Sequence, residues 1–382
     1  MNSFKISIEE KALEDLKTRL HSTRWPDGIF EEGDADGFCL SSQHNLIRYW
    51  TDVFDWRAQE ARLNALPQQT VTIDGLRVHL IHARGHGPSP LPLVLTHGWP
   101  GSFLEFERII PLLTDPGRHG GDPGDAFDVV IPSLPGFGFS AAPVGPGVST
   151  RKIADMWASL MTSLGYDRFA AQGGDIGAGV SMWLARRHPR RMIGVHLNYI
   201  PGSYRPAIDP QESPLSADEQ AFLNRSMQFA ALEGAYAQLQ STKPQTLGYG
   251  LSDSPAGLAA WIAEKFYSWS DRRERPDPIS LDVLLTNISI YWFTNTLVSS
   301  FRIYKENRLD PLHFGSGERV AVPFGFAAFP CELPTPPQSW VERVFSVNRW
   351  TDMPRGGHFA ALEQPKLLAD EIRAFFRPLR PQ

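Results

Sequence analysis

Arg168-Phe169-Ala170-Ala171-Gln172-Gly173-Gly174-Asp175-Ile176-Gly177 reads as a short apolar strand running into a glycine-flanked carboxylate. A small residue two before and two after a central reactive one marks a nucleophile elbow, a strand-to-helix turn too tight for side chains at the flanking positions. Such a turn lifts its central side chain clear above a sheet. Here that residue is Asp175. A carboxylate needs no deprotonation before it attacks, and the ester it forms can be cleaved by water. The plainer reading is a helix-capping aspartate. The strand before it and the amphipathic helix after it favour the nucleophile.

Working outward, strands and helices alternate. Leu93–Thr96 is a strand, followed by a helix near 102–114. Phe127–Ile131 is a strand, then 150–164 a helix. A helix follows Asp175 to about Arg187, and Met192–Leu197 is the next strand. Residues 202–315 break the rhythm with helical stretches alone. It resumes at Val320–Phe329 and Val347–Thr351 and ends in a helix over 361–376. Short apolar strands separated by helices predict a mostly parallel sheet covered on both faces. Upstream, Ile8, Leu13, Leu16 and Leu20 predict an amphipathic helix over 7–20. A second helix is expected to start at Ser41 or Ser42, and Asp74-Gly75 predicts the turn of a hairpin over 70–83.

At 382 residues the chain predicts two or three structural units. The net charge of −5, with both signs interspersed, gives no reason to expect nucleic acid or a membrane surface as partner. Two cysteines, Cys39 and Cys331, cannot build a disulfide framework, so a reducing, cytoplasmic setting is expected. The stretch Met1–Glu10 lacks the apolar core of a signal peptide, and no apolar run is long enough for a membrane anchor.

Thr96-His97-Gly98-Trp99-Pro100-Gly101 follows the 93–96 strand. The backbone N–H groups of Trp99 and Ile176 are candidates to hold a developing oxyanion. Trp99-Pro100 is a candidate cis peptide, and His97 is read as a structural histidine bonding the loop backbone. Near the C-terminus, Arg355-Gly356-Gly357-His358-Phe359-Ala360 follows the last strand. The order nucleophile, acid, histidine makes His358 the base. Glu332, in the loop after the 320–329 strand, is preferred as its acid over Asp352, which lies on the end of the final strand. Gly136-Phe137-Gly138-Phe139-Ser140-Ala141 formally matches a dinucleotide-binding loop, but Pro143 and Pro146 exclude the helix that such a loop must open. The histidines show no metal-ligand spacing.

Together these motifs, with Pro135–Ser140, resemble the microsomal-type epoxide hydrolases over nearly the whole chain, and the similarity is to their soluble branch. The resemblance implies an α/β-hydrolase fold. Residues 1–88 would be an N-terminal meander, 89–201 and 317–382 the two parts of the core, and 202–316 a helical lid. It also implies two lid tyrosines that bind the epoxide oxygen and protonate it. The matching positions are Tyr236, in Glu233–Gln238, and Tyr304, in Arg302–Glu306. Glu332 lies in a stretch similar to the family's charge-relay site. The family's Tyr-Trp-x-Thr-Gly-Thr stretch reads Tyr291-Trp292-Phe293-Thr294-Asn295-Thr296 here.

The expected reaction is opening of a small-molecule epoxide by water to a vicinal diol, through an ester on Asp175. No cofactor or metal is called for, and a homodimer stays open. The rivals are a haloalkane dehalogenase, which needs Trp or Asn halide donors in place of the tyrosine pair, and a catalytically silent ligand-binding protein on the same fold. Lid aromatics such as Phe222, Phe229, Trp261, Phe266, Trp269 and Trp292 point to a bulky apolar or aryl epoxide, or simply to lid core.

Overall fold

The computed structural model describes residues 1–27, 36–208 and 214–380. Nine strands form one sheet: β1 (Asn2–Ser3), β2 (Gln68–Ile73), β3 (Leu76–Ala83), β4 (Leu91–Thr96), β5 (Phe127–Pro132), β6 (Phe169–Gly173), β7 (Met192–Leu197), β8 (Val320–Ala328) and β9 (Phe345–Asp352). Their order is β1-β2-β3-β5-β4-β6-β7-β8-β9. The pairs from β5 through to β9 are parallel; β1, β2 and β3 add on antiparallel at one side. Every residue of β6 is buried, and so is nearly all of β4. That is the apolar reading expected of strands with helices on both faces. The β2–β3 hairpin turns at Asp74-Gly75, both at positive φ (50° and 78°), as a two-residue primed turn requires.

Three expectations are corrected. The second helix is Leu40–Asp52 with Cys39 at its N-cap, so neither Ser41 nor Ser42 caps it. Their hydroxyls instead approach the Cys39 sulfur. The helix expected near 102–114 divides into a 3-10 turn, Phe103–Phe106, and a short helix, Ile110–Thr114. Pro111, which has no N–H to donate, confines the second piece to a fresh start. Pro365 likewise divides the last helix into Ala360–Glu363 and Pro365–Phe376. The reading also missed a helix over Trp56–Leu63, capped by Asp55 through the Ala58 N–H.

Between β7 and β8 the chain forms helices Ala217–Leu232, Ala235–Thr242, Pro244–Asp253, Pro255–Trp269, Leu281–Thr294 and Leu297–Leu309. The first carries a capping box between Ser216 and Glu219. Asn295 stops the helix at Thr294 in the left-handed conformation, φ 51°, where the family's pattern has glycine. Asn tolerates that conformation best after glycine. Among the described residues, no helix is long and apolar enough to cross a membrane.

The turn after β6 positions the site. Asp175 sits at φ 47°, a strained conformation for a residue with a side chain. A Cβ on Gly173 would run into the Gly177 carbonyl, and one on Gly177 into the Thr96 carbonyl at the end of β4. The first turn of helix Asp175–Arg187 therefore lies directly against the neighbouring strand. Gly177→Ala forces these backbones apart and is expected to destabilise the protein by about 1–3 kcal/mol, the usual cost of overpacking. Urea unfolding checks this, and an unshifted midpoint would remove the steric argument.

Candidate active site

The Asp175 carboxylate faces two loops, the one after β4 and the one that carries His358. Its Oδ1 accepts the Trp99 backbone N–H at 2.8 Å. Its Oδ2 lies 3.6 Å from His358 Nε2. Behind it, a Cβ on Gly98 would overlap the carboxylate, so the loop after β4 can approach only because it has no side chain there. Ile176 is in the first turn of its helix, where backbone N–H groups have no intrahelical partner. Trp99-Pro100 is a cis peptide.

His358 is buried between two carboxylates, its Nδ1 lying 2.5 Å from Glu332 Oε1. Burial lowers its pKa, but Glu332 and Asp175 together lift it well above the ordinary imidazole value. Glu332 sits just past β8, and a bridge between Cys331 and Gly357 brings its loop beside the histidine loop. Asp352 instead ends β9, exposed and paired in register with Ala328.

Tyr236 and Tyr304 face the site from the lid, their rings edge-on with centroids 6.0 Å apart. The Trp99 ring stacks on Tyr236 (5.4 Å, 12°) and meets Tyr304 edge-on (5.9 Å, 88°). Burial raises both phenols' pKa well above 10, and the Asp175 charge adds to the shift, so both keep their protons. His97 turns away from the chemistry. Its Nε2 accepts the Leu134 N–H, its Nδ1 lies 3.0 Å from the Gly98 carbonyl, and burial lowers its pKa to about 4. The loop at 136–141 opens no helix, and Gly136 and Gly138 take positive φ.

A small cavity of about 10 Å³, room for one water molecule, is lined by Gly98, Trp99, Glu105, Asp175, Asn198 and His358. Glu105 and Asn198 are residues that sequence reasoning missed. Glu105 is half-buried, and burial pushes its pKa up to about 8. Asn198 accepts a hydrogen bond from the Gln172 side chain at 2.8 Å and packs over Gly174. Neither belongs to a local motif; each reaches the site from a separate strand end or turn. Of the lid aromatics, Phe222 and Phe266 are core, while Trp269 packs on both His358 (5.1 Å) and Tyr236 (5.3 Å).

Residues 1–106 match the family described as epoxide hydrolase N terminus, and residues 91–232 match the alpha/beta hydrolase fold. A putative epoxide hydrolase of Stigmatella aurantiaca is 47% identical, over 99% of this chain and 85% of that protein. Epoxide hydrolase 1 of Oryctolagus cuniculus is 38% identical over 97% of this chain and 88% of its own. Among solved structures, Aspergillus niger epoxide hydrolase superposes with a TM-score of 0.86 at 34% identity, covering 99% of this chain and 96% of that one. Likeness of that extent, running from the N-terminal segment through the lid, makes the chain a member of the epoxide hydrolase family on the α/β-hydrolase fold.

Proposed function

We propose that this epoxide hydrolase works in two steps, with Asp175 as nucleophile, Tyr236 and Tyr304 as acids, His358 as base and Glu332 as its orienting partner. The observation that carries the reading is the line of contacts Glu332–His358–Asp175, 2.5 Å and 3.6 Å long, beneath two protonated phenols. Oδ1 is held by the Trp99 N–H, which leaves Oδ2 to attack an epoxide carbon. As the C–O bond breaks, the phenol pair holds the leaving oxygen and passes it a proton. Oδ1 becomes the ester carbonyl oxygen, already in place to accept from Trp99 and from Ile176 when a tetrahedral oxyanion forms.

Charge makes the second step follow the first. While Asp175 is ionised, it helps keep His358 protonated. Alkylation removes that charge and leaves a phenolate, so the ring passes its proton to the phenol pair, which is restored, and the neutral imidazole becomes a base. The one-water cavity beside His358, bounded by Glu105 and Asn198, is where the hydrolytic water would sit. His358 takes one proton from the water, the oxygen attacks the ester carbonyl, and as the ester C–O bond breaks the diol oxygen takes up the other water proton, which leaves Asp175 ionised and His358 protonated as at the start. In this account residues 202–316 act as the lid and 1–88 as the meander around the core, 89–201 and 317–382. The buried aromatic wall of Trp99 and Trp269 suits a bulky apolar or aryl epoxide. A dehalogenase would need halide donors where the phenols stand, and a silent binding protein has no use for an imidazole ordered between two carboxylates.

His358→Ala mixed with an epoxide such as styrene oxide is expected to stall as an ester. Intact mass spectrometry should find the protein heavier by one substrate, with the addition mapped to Asp175. Direct attack of water on the epoxide gives no adduct, and that result would overturn the covalent route. Tyr236→Phe and Tyr304→Phe should each slow ring opening by about 10- to 100-fold, less than the 10²–10³ typical of a lost oxyanion donor because one phenol remains. Unchanged single-turnover alkylation in both would refute the phenols' role. Asp175→Ala and Glu332→Gln each remove a negative charge facing the ring. Each should therefore lower the pH at which His358 loses its proton, read from histidine ¹³C shifts; the electrostatic account fails if neither titration moves.

A further inference from the structure

Four successive backbone N–H groups around His358 are all taken. Gly356 donates to Asp271 Oδ2 at 2.9 Å, Gly357 to Glu363 Oε2 at 3.0 Å, His358 to the Trp269 carbonyl at 2.9 Å and Phe359 to Glu363 Oε1 at 3.0 Å. Glu363 Oε2 accepts a further N–H, that of Asp271, at 2.7 Å. One buried carboxylate from the C-terminal region thus gathers donors from both sides of the histidine and from the end of the lid helix Pro255–Trp269. Asp271 completes the figure from the lid side. The Arg273 guanidinium grips it through two nitrogens, each at 2.8 Å. The two backbones touch: a Cβ on Gly357 would lie 2.6 Å from the Trp269 carbonyl oxygen and 2.9 Å from Asp271 N.

We infer that Glu363, together with Asp271, is a positioning residue for ester hydrolysis, a clasp that ties lid segment 269–273 to the histidine loop and so aims His358. The inference rests on His358 being the base. Glu363 touches no reacting atom. It acts through the main chain of Gly357 and Phe359, which fixes where the imidazole between them can point. The same clasp seats Trp269, whose ring packs on His358 and on Tyr236. A carboxylate suits this task because, when ionised, each oxygen is an acceptor only; burial pushes the Glu363 pKa up to about 7, while the three converging N–H groups favour the ionised form. The first chemical step uses the Asp175 carboxylate, held by the Trp99 N–H, and two phenols that both pack on the Trp99 ring, so the clasp touches that step only through the Trp269 edge on Tyr236. Misaiming the base therefore falls on the second step.

Glu363→Gln keeps the side chain's size but sets an amide NH₂ against at least one of the three N–H donors. Rapid-quench single turnovers with styrene oxide separate ester formation from ester hydrolysis. The expected result is unchanged formation and hydrolysis slowed by about 10- to 100-fold, the scale of loss when a catalytic group is misplaced by ~1 Å. The covalent ester then makes up a larger share of the enzyme in the steady state than it does in wild type. Gly357→Ala, which pushes the same two backbones apart, should shift the balance in the same direction and carries the test alone if Glu363→Gln does not fold. Equal slowing of both steps would reduce the clasp to general structural support. Wild-type hydrolysis in the folded variants would overturn it outright. If His358→Ala traps no ester, the fault lies with the base assignment; if it does and Glu363→Gln hydrolyses normally, only the clasp falls.

Discussion

The contact between the Gly177 backbone and the Thr96 carbonyl governs how close the elbow helix comes to β4, and the rest of the site is measured from it. Because the two touch without a side chain between them, Asp175 emerges within hydrogen-bond reach of the Trp99 N–H on the loop that continues β4. Gly98 lets that loop pass directly behind the carboxylate. Asp175 and the N–H proposed to stabilise its ester are thus built on adjacent parallel strands, and sheet geometry sets their spacing. The strained φ at Asp175 is carried by the fully buried β6 and the almost wholly buried β4 beside it.

The second organising quantity is charge in a dry place. Asp175, Glu332 and the proton on His358 form a compact arrangement in which no charge is left alone. Burying any one of them by itself would be costly. The proposed reaction consumes one of those charges and regenerates it, so on that reading the electrostatics of the resting site set the order of the chemical steps. Phenols that burial keeps protonated supply the proton that the carboxylates cannot.

Much of this was legible in the sequence, and the reasons are local. The glycine spacing around Asp175 marks a turn that little else explains, and strand–helix alternation follows from apolar runs of strand length. The assignment of the histidine loop followed from its place after the last strand. Tyr236 and Tyr304 carry no such mark. A tyrosine on a lid helix has no period that separates a proton donor from packing, so only likeness to a family pointed to them. Glu105, Asn198 and Glu363 escaped because their significance lies in what other elements bring to them. The capping expectation at Ser41 and Ser42 failed because hydroxyl residues in a first turn and at a cap look alike in a string; Cys39 takes the cap and the helix starts one residue earlier. The broken helices at Pro111 and Pro365 show apolar periodicity continuing across a backbone that cannot.

The N-terminal segment holds the lid from behind. Helices Glu10–His21 and Leu40–Asp52 pack on lid helices, Gln43 donates to the Ala256 carbonyl, Tyr49 to Asp282, and Trp56 lies 4.9 Å from Phe293. The chain is made in the opposite order from the one this support requires. Gln43 and Ala256 are 213 residues apart, which at ribosomal rates of about 5–20 residues per second is a wait of roughly 10–40 s. Through that interval helices Glu10–His21 and Leu40–Asp52, which bury Leu16, Leu20, Leu46 and Trp50 in the folded protein, have no lid helices to pack on. The aggregation hazard of this protein is therefore concentrated in biosynthesis, at its first-made helices, and it ends when translation reaches the lid.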